Sequence, residues 1–199
     1  SLFDEEKKLN KQIPDLDRSL LDAKEKAATL RGSVSPAAQN PALTAIASLK
    51  EEGKHGIYGT VNELISVDEK YQAAVEACAG SRLNYVIVDT LDNANSIIQK
   101  LKSAKSGRAS FIPLDTIIFK GGGGSTPSGS FGRMIEFVKY PAQIDKAMRY
   151  LFEDTLLVGG VEGAKKIGVG KHRMATLGGE LLERSGVISG GANRTSLMA

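Results

Sequence analysis

Two stretches decide how this chain is read: "GTVNELISV" at residues 59–67 and "GRMIEFVKY" at residues 132–140. Each opens on glycine and runs through mixed apolar and polar residues. The segments after them also match. The amphipathic helices "DEKYQAAVEACAG" and "AQIDKAMRYLFED" are expected next, then the short apolar strands "NYVIVDT" and "DTLLVGG". Second helices come after these, "LDNANSIIQKLKSA" and "VEGAKKIGVG", and the strands "GRASFIPLD" and "HRMATLGGE" close the two units. Aligning Val88 with Val158 also aligns Ala94 with Ala164 and Ile97 with Ile167, without gaps. Agreement in order and type over a fixed period marks an internal repeat. The expected fold is α/β (α+β): two half-domains related by a pseudo-twofold, at about 42–118 and 131–191. Each has a small sheet and packed helices. The Gly/Ser-rich segment 119–130 between them reads as a surface loop.

Outward from the repeat the composition changes. The first thirty-one residues contain no glycine. Leu2, Leu9, Leu16, Ala23 and Leu30 recur every seven positions, with Ile13, Leu20 and Ala27 four residues after three of them. That seam predicts a coiled-coil arm at 1–31, the alternative being an amphipathic helix packed on its own domain. Segment 32–41 is rich in glycine, serine and proline and reads as a linker. Pro41 then sits where a new helix can begin, and Gly53 and Gly56 end it.

Composition removes several classes of function. A single cysteine, Cys78, leaves no disulfide framework and no cysteine-based zinc site, and it is expected in the core. No run approaches about 18 apolar residues, so neither a membrane span nor a signal peptide is read. The two histidines, His55 and His172, lack metal-site spacing. No Gly-x-x-x-x-Gly-Lys-[Ser/Thr] or Gly-x-Gly-x-x-Gly is present, nor a nucleophile elbow or an acid/base carboxylate pair. "ISGG" at 188–191 resembles an ABC-type ATPase signature loop, but the phosphate cradle it would work against is missing. No catalytic residue, metal or cofactor is expected, and no small-molecule substrate.

The remaining signal is Gly179, Gly186, Gly190 and Gly191, spaced Gly-x6-Gly-x3-Gly-Gly through strand-like sequence. Interior glycines weaken a strand, by about 0.5–1 kcal/mol each, unless a turn or the close approach of another backbone uses them. Ordinary turns account for the spacing; so does an edge strand that pairs with a second chain.

The heptad arm, the twice-written unit, "GRASFIPLD" and this glycine motif together resemble the hinge domain of SMC chromosome-structuring proteins, over about 42–191. The resemblance implies a ring-shaped hinge dimer, of identical chains or of paralogues. In it each half-domain meets the opposite half of the partner, and the four glycines lie in the contacts. It also implies a non-enzymatic, cytoplasmic, chromosome-associated role. The hinge joins two arms, with ATPase heads elsewhere in the parent protein, and 192–199 starts the exiting arm of an excised fragment. The other readings are an ATPase fragment and a free-standing DNA-binding module.

Family hinges are associated with DNA. The net charge of +3 does not announce a nucleic-acid binder, so the distribution of charge must carry the case. Lys100, Lys102, Lys105 and Arg108 lie in a stretch without acids, as do Lys165, Lys166, Lys171 and Arg173 in the equivalent part of the second unit. Arg184 and Arg194 flank the glycine motif. Few aromatics lie near, so any contact is expected with phosphate, independent of sequence.

Overall fold

The computed structural model describes residues 40–53, 56–119 and 125–191. The arm at 1–31, most of the linker, His55, Arg194 and the segment 192–199 lie outside the described residues.

The described chain opens with α1 (Pro41–Glu51). Asn40 caps it, its side-chain oxygen accepting from the Ala42 amide at 3.0 Å, and Pro41 occupies the first turn. The first half continues through β1 (Ile57–Thr60), α2 (Val61–Leu64), β2 (Ser66–Val67), α3 (Glu69–Ala79), β3 (Val86–Val88), α4 (Leu91–Ser103) and β4 (Phe111–Pro113). The second half runs through β5 (Gly132–Arg133), a 3-10 turn at Met134–Phe137 and β6 (Val138–Lys139). It continues with α5 (Asp145–Met148), β7 (Thr155–Val158), α6 (Val161–Ile167), β8 (Arg173–Thr176), β9 (Leu181–Leu182) and β10 (Ile188–Ser189).

Pairing confirms the repeat. β1 is antiparallel to β3, which is parallel to β4; β5 is antiparallel to β7, which is parallel to β8. The two halves meet where β2 and β6 pair antiparallel, Ser66 opposite Lys139 and Val67 opposite Val138. The glycines that open the two units serve one local device. The Glu63 carboxylate accepts from the Thr60 amide at 3.0 Å, and that of Glu136 from the Arg133 amide at 2.9 Å. Each carboxylate lies over the preceding glycine. A Cβ on Gly59 or Gly132 would stand 2.8 or 2.7 Å from it, at φ +138° and +144°. Gly132→Ala is therefore expected to cost about 2 kcal/mol and to lower the melting temperature by roughly 4–8 °C. A shift within about 1 °C by calorimetry would contradict this role.

Three features depart from the expected symmetry. The segment "AQIDKAMRYLFED" is not one helix. A 3-10 turn at Ala142–Ile144 precedes α5, and a wide π turn at Arg149–Glu153 comes after it. Leu151 and Phe152, adjacent in sequence, are both buried within the wide turn. Second, the main core is common to both halves: Val75, Leu83 and Ile112 pack in one cluster with Met134, Ile144 and Phe152. The second half also has a smaller cluster of its own beneath α6, formed by Leu156, Val158, Ala164, Met174 and Leu182. Third, the sheets differ in size. The first has order β1-β3-β4, while the second, β10-β9-β8-β7-β5, gains a hairpin that the first lacks.

Candidate functional site

The extra hairpin carries the glycine motif. Gly179 lies in the turn from β8 to β9, at φ +88°, with its amide bonded to the Thr176 carbonyl at 3.0 Å. A Cβ there would touch the Cβ and carbonyl oxygen of Ala73 at 3.4 Å, so this turn packs directly on α3. The Thr176 hydroxyl donates to the Glu180 carboxylate and accepts from the Glu180 amide. Gly186 lies in the turn from β9 to β10, its amide bonded to the Glu183 carbonyl at 2.9 Å. Gly190 and Gly191 come directly after β10. The side chain of Glu180 lies over Gly190, where a Cβ would be 3.0 Å from Cγ.

β10 ends the five-stranded sheet. It pairs with β9 through Ile188–Leu182 and Ser189–Leu181, and no described strand covers its other edge. Val187 and Ile188 are 57% and 53% exposed, two adjacent apolar side chains on this edge. Between this strand and α3 lies a groove of about 700 Å³. Glu69, Gln72 and Glu76 line one side of it; Gly179, Ser189 and Gly190 line the other. The structure thus brings Gly179, Gly190 and Gly191 to one groove, with Gly186 at the far tip of the hairpin.

The basic residues divide differently. Lys100 and Lys102 lie in the last turn of α4, and Lys165 and Lys166 in that of α6, where positive charge favours the helix terminus. Lys105 lies just past α4 at φ +51°, and Arg108 and Lys171 are exposed in the loops beyond. Lys165 pairs with Glu162 at 2.6 Å on the surface, and Arg184 with Asp154 at 2.5 Å.

Arg173 does not belong in this exposed set. Its side chain is only 14% exposed. Nη1 donates to Thr155 Oγ1 at 2.6 Å, Nη2 to the Cys78 carbonyl at 2.9 Å, and Nε to the Glu183 carboxylate at 3.1 Å. Nη1 also lies 3.4 Å from Cys78 Sγ. Burial alone would push the guanidinium pKa down; Cys78 and Glu183 outweigh it and hold it above its ordinary value. All three nitrogens are engaged within the protein, so Arg173 is withdrawn as a phosphate ligand. Strand parity carries the signal for this. In β8, Arg173 shares a face with Ala175, which packs in the main core.

Cys78 is buried, as expected. Among the described residues, no group of three or more His, Cys, Asp or Glu side chains could hold a metal ion. No described helix is long and apolar enough to cross a membrane.

Comparison with known proteins agrees with the fold. Residues 54–168 match the family described as SMC proteins Flexible Hinge Domain. The chromosome partition protein Smc of Aquifex aeolicus is 40% identical over 144 residues, 71% of this chain. The chain spans only 12% of that relative's length. The crystal structure of the Pyrococcus furiosus SMC protein hinge domain superposes with a TM-score of 0.65 at 40% identity, covering 74% of this chain and 79% of that one. An asymmetric dimer of the Geobacillus stearothermophilus SMC hinge domain has the same fold, with a TM-score of 0.73 at 23% identity over 92% of this chain and 77% of that one. The family match ends at residue 168, before the glycine hairpin, and covers the β2–β6 junction and most of both repeated units. With both sheets, their pairing and the matched sequence in agreement, this chain belongs to the SMC flexible hinge family and is a hinge segment, not an ATPase head.

Proposed function

We propose that this hinge, spanning about 42–191, holds two copies of the chain together through the glycine hairpin and so joins two arms. The observation that carries the reading is the open edge of β10. It leaves an edge that no described strand pairs, exposed Val187 and Ile188, and glycines where a second backbone can approach. Self-complementary edges most simply close as a twofold pair, which in this family would form a ring. The Geobacillus stearothermophilus hinge that shares the fold is a dimer. Chromosome organisation by the parent protein accords with the names of the relatives, and a paralogue as partner remains the alternative to an identical chain. A tagged and an untagged copy, mixed and allowed to exchange, should co-purify; recovery of the tagged chain alone would overturn the homodimer.

Modest, sequence-independent DNA contact is the second part of the reading. The two basic ends, with lysines in the last turns of α4 and α6 and Lys105, Arg108 and Lys171 just beyond, occupy equivalent places in the repeat, and these side chains are exposed. With Arg173 withdrawn, the second patch keeps three lysines. Arg184 is engaged with Asp154 on the surface, a pairing weak enough for phosphate to displace.

A further inference from the structure

We infer that Arg173 is the positioning residue of the dimerisation hairpin, a strut that holds the β9–β10 tip against the body of the hinge. This deepens the dimer reading above and rests on it. The backbone ladder behind the hairpin is short. β9 meets β8 at Met174–Leu182 and Ala175–Leu181, with the Thr176 amide on the Glu180 carbonyl beyond them, and β10 meets β9 at two positions, with the Glu183 amide on the Val187 carbonyl beyond them. Beyond Leu182 the chain runs through Glu183, turns at Gly186 and returns to the exposed Val187. Among the described residues, two side-chain ties reach this tip from outside the hairpin. One is Arg184 to Asp154, an exposed pair of the kind that contributes little.

The other is Arg173. Its guanidinium is anchored on β7 by Thr155 and at the end of α3 by the Cys78 carbonyl, and its remaining edge grips Glu183. A planar fork with several donors suits such a three-way anchor, and a lysine ammonium does not reproduce it. The strut therefore fixes the hairpin tip relative to α3, a helix of the first half, and to β7, a strand of the second. A second chain that pairs with β10 meets a strand already held in place, and ordering it on binding costs less.

The test uses the whole chain and its Arg173→Met, Arg173→Lys and Glu183→Gln variants. Sedimentation equilibrium gives the dimer dissociation constant, and amide exchange compares Val187–Ser189 with core residues Ile87 and Leu157. Arg173→Met should raise the dissociation constant at least about tenfold and speed exchange at Val187–Ser189 while Ile87 and Leu157 stay protected. Arg173→Lys should recover little of the loss. Glu183→Gln leaves the anchors on Thr155 and Cys78 in place and should shift both readouts the same way, by about threefold. Equal loss of protection in hairpin and core would make Arg173 a general stabilising residue and overturn the inference. A dissociation constant unchanged in Glu183→Gln and in whichever Arg173 variants fold would overturn it as well. A wild-type chain that is monomeric would instead remove the dimer reading itself.

Discussion

Gly190→Glu combined with Gly191→Glu is expected to turn a dimer into a folded monomer. Both residues line the groove beside the open edge of β10 and are exposed, with Gly191 at φ +138°. A glutamate at 190 meets Glu180 within its own chain, where Cβ would lie 3.0 Å from Cγ. The added carboxylates also join Glu69 and Glu76 across the groove, and twofold symmetry repeats them on the partner. Bringing like charges together at an interface costs several kcal/mol, so dimer affinity should fall by at least about 100-fold. The fold should survive, because the main core lies elsewhere and contains neither residue. Light scattering at low micromolar concentration checks the mass and far-UV circular dichroism checks the fold. A double variant that remains dimeric would show that the glycines do not line the interface.

DNA binding should be steeply salt-dependent. If the patch at the end of α6 supplies three phosphate contacts through Lys165, Lys166 and Lys171, log affinity should fall against log salt with a slope of about −2.7 for duplex. Between ~50 and ~200 mM salt, duplex affinity would then drop roughly 40-fold. Arg173 would have added a fourth contact and a slope of about −3.6, but its buried bonds remove it. Changing the three lysines to glutamate should flatten the slope and leave the dimer intact, since none lies in the hairpin. Lys165 already pairs with Glu162, but both groups are exposed and the pair is easily exchanged for phosphate. Fluorescence anisotropy across salt concentrations decides the matter: no binding at ~50 mM, or binding indifferent to the triple change, removes DNA from this patch.

Much of the fold is legible in the sequence because the repeat is written in local terms. The apolar triplet of β3 and the apolar run of β7 align, the buried alanines of α4 and α6 align, and each helix sits between the same two strands. The strand-like reading of "ELLERS" and "VIS" holds as well, since β9 and β10 lie within them. What local patterns do not carry is the partner of a charge. The acid-free stretch around Arg173 ends before Glu183, yet the antiparallel register of β8 and β9 brings these residues, ten apart, together. A window along the chain counts such an arginine as free; only pairing across the hairpin shows it bound. The shared core escapes sequence reading for the same reason. The apolar faces of the two units are each visible, but which face meets which is settled by β2 pairing with β6. The broken helix after Pro141 depends on tertiary packing, because its apolar spacing alone fits an unbroken one.

This chain is expected to close on a second copy of itself. Sedimentation equilibrium over a dilution series tests it most directly. Twice the chain mass of 21.1 kDa is expected at micromolar concentration, giving way to a single chain only on strong dilution. A mass of one chain throughout the micromolar range would contradict it.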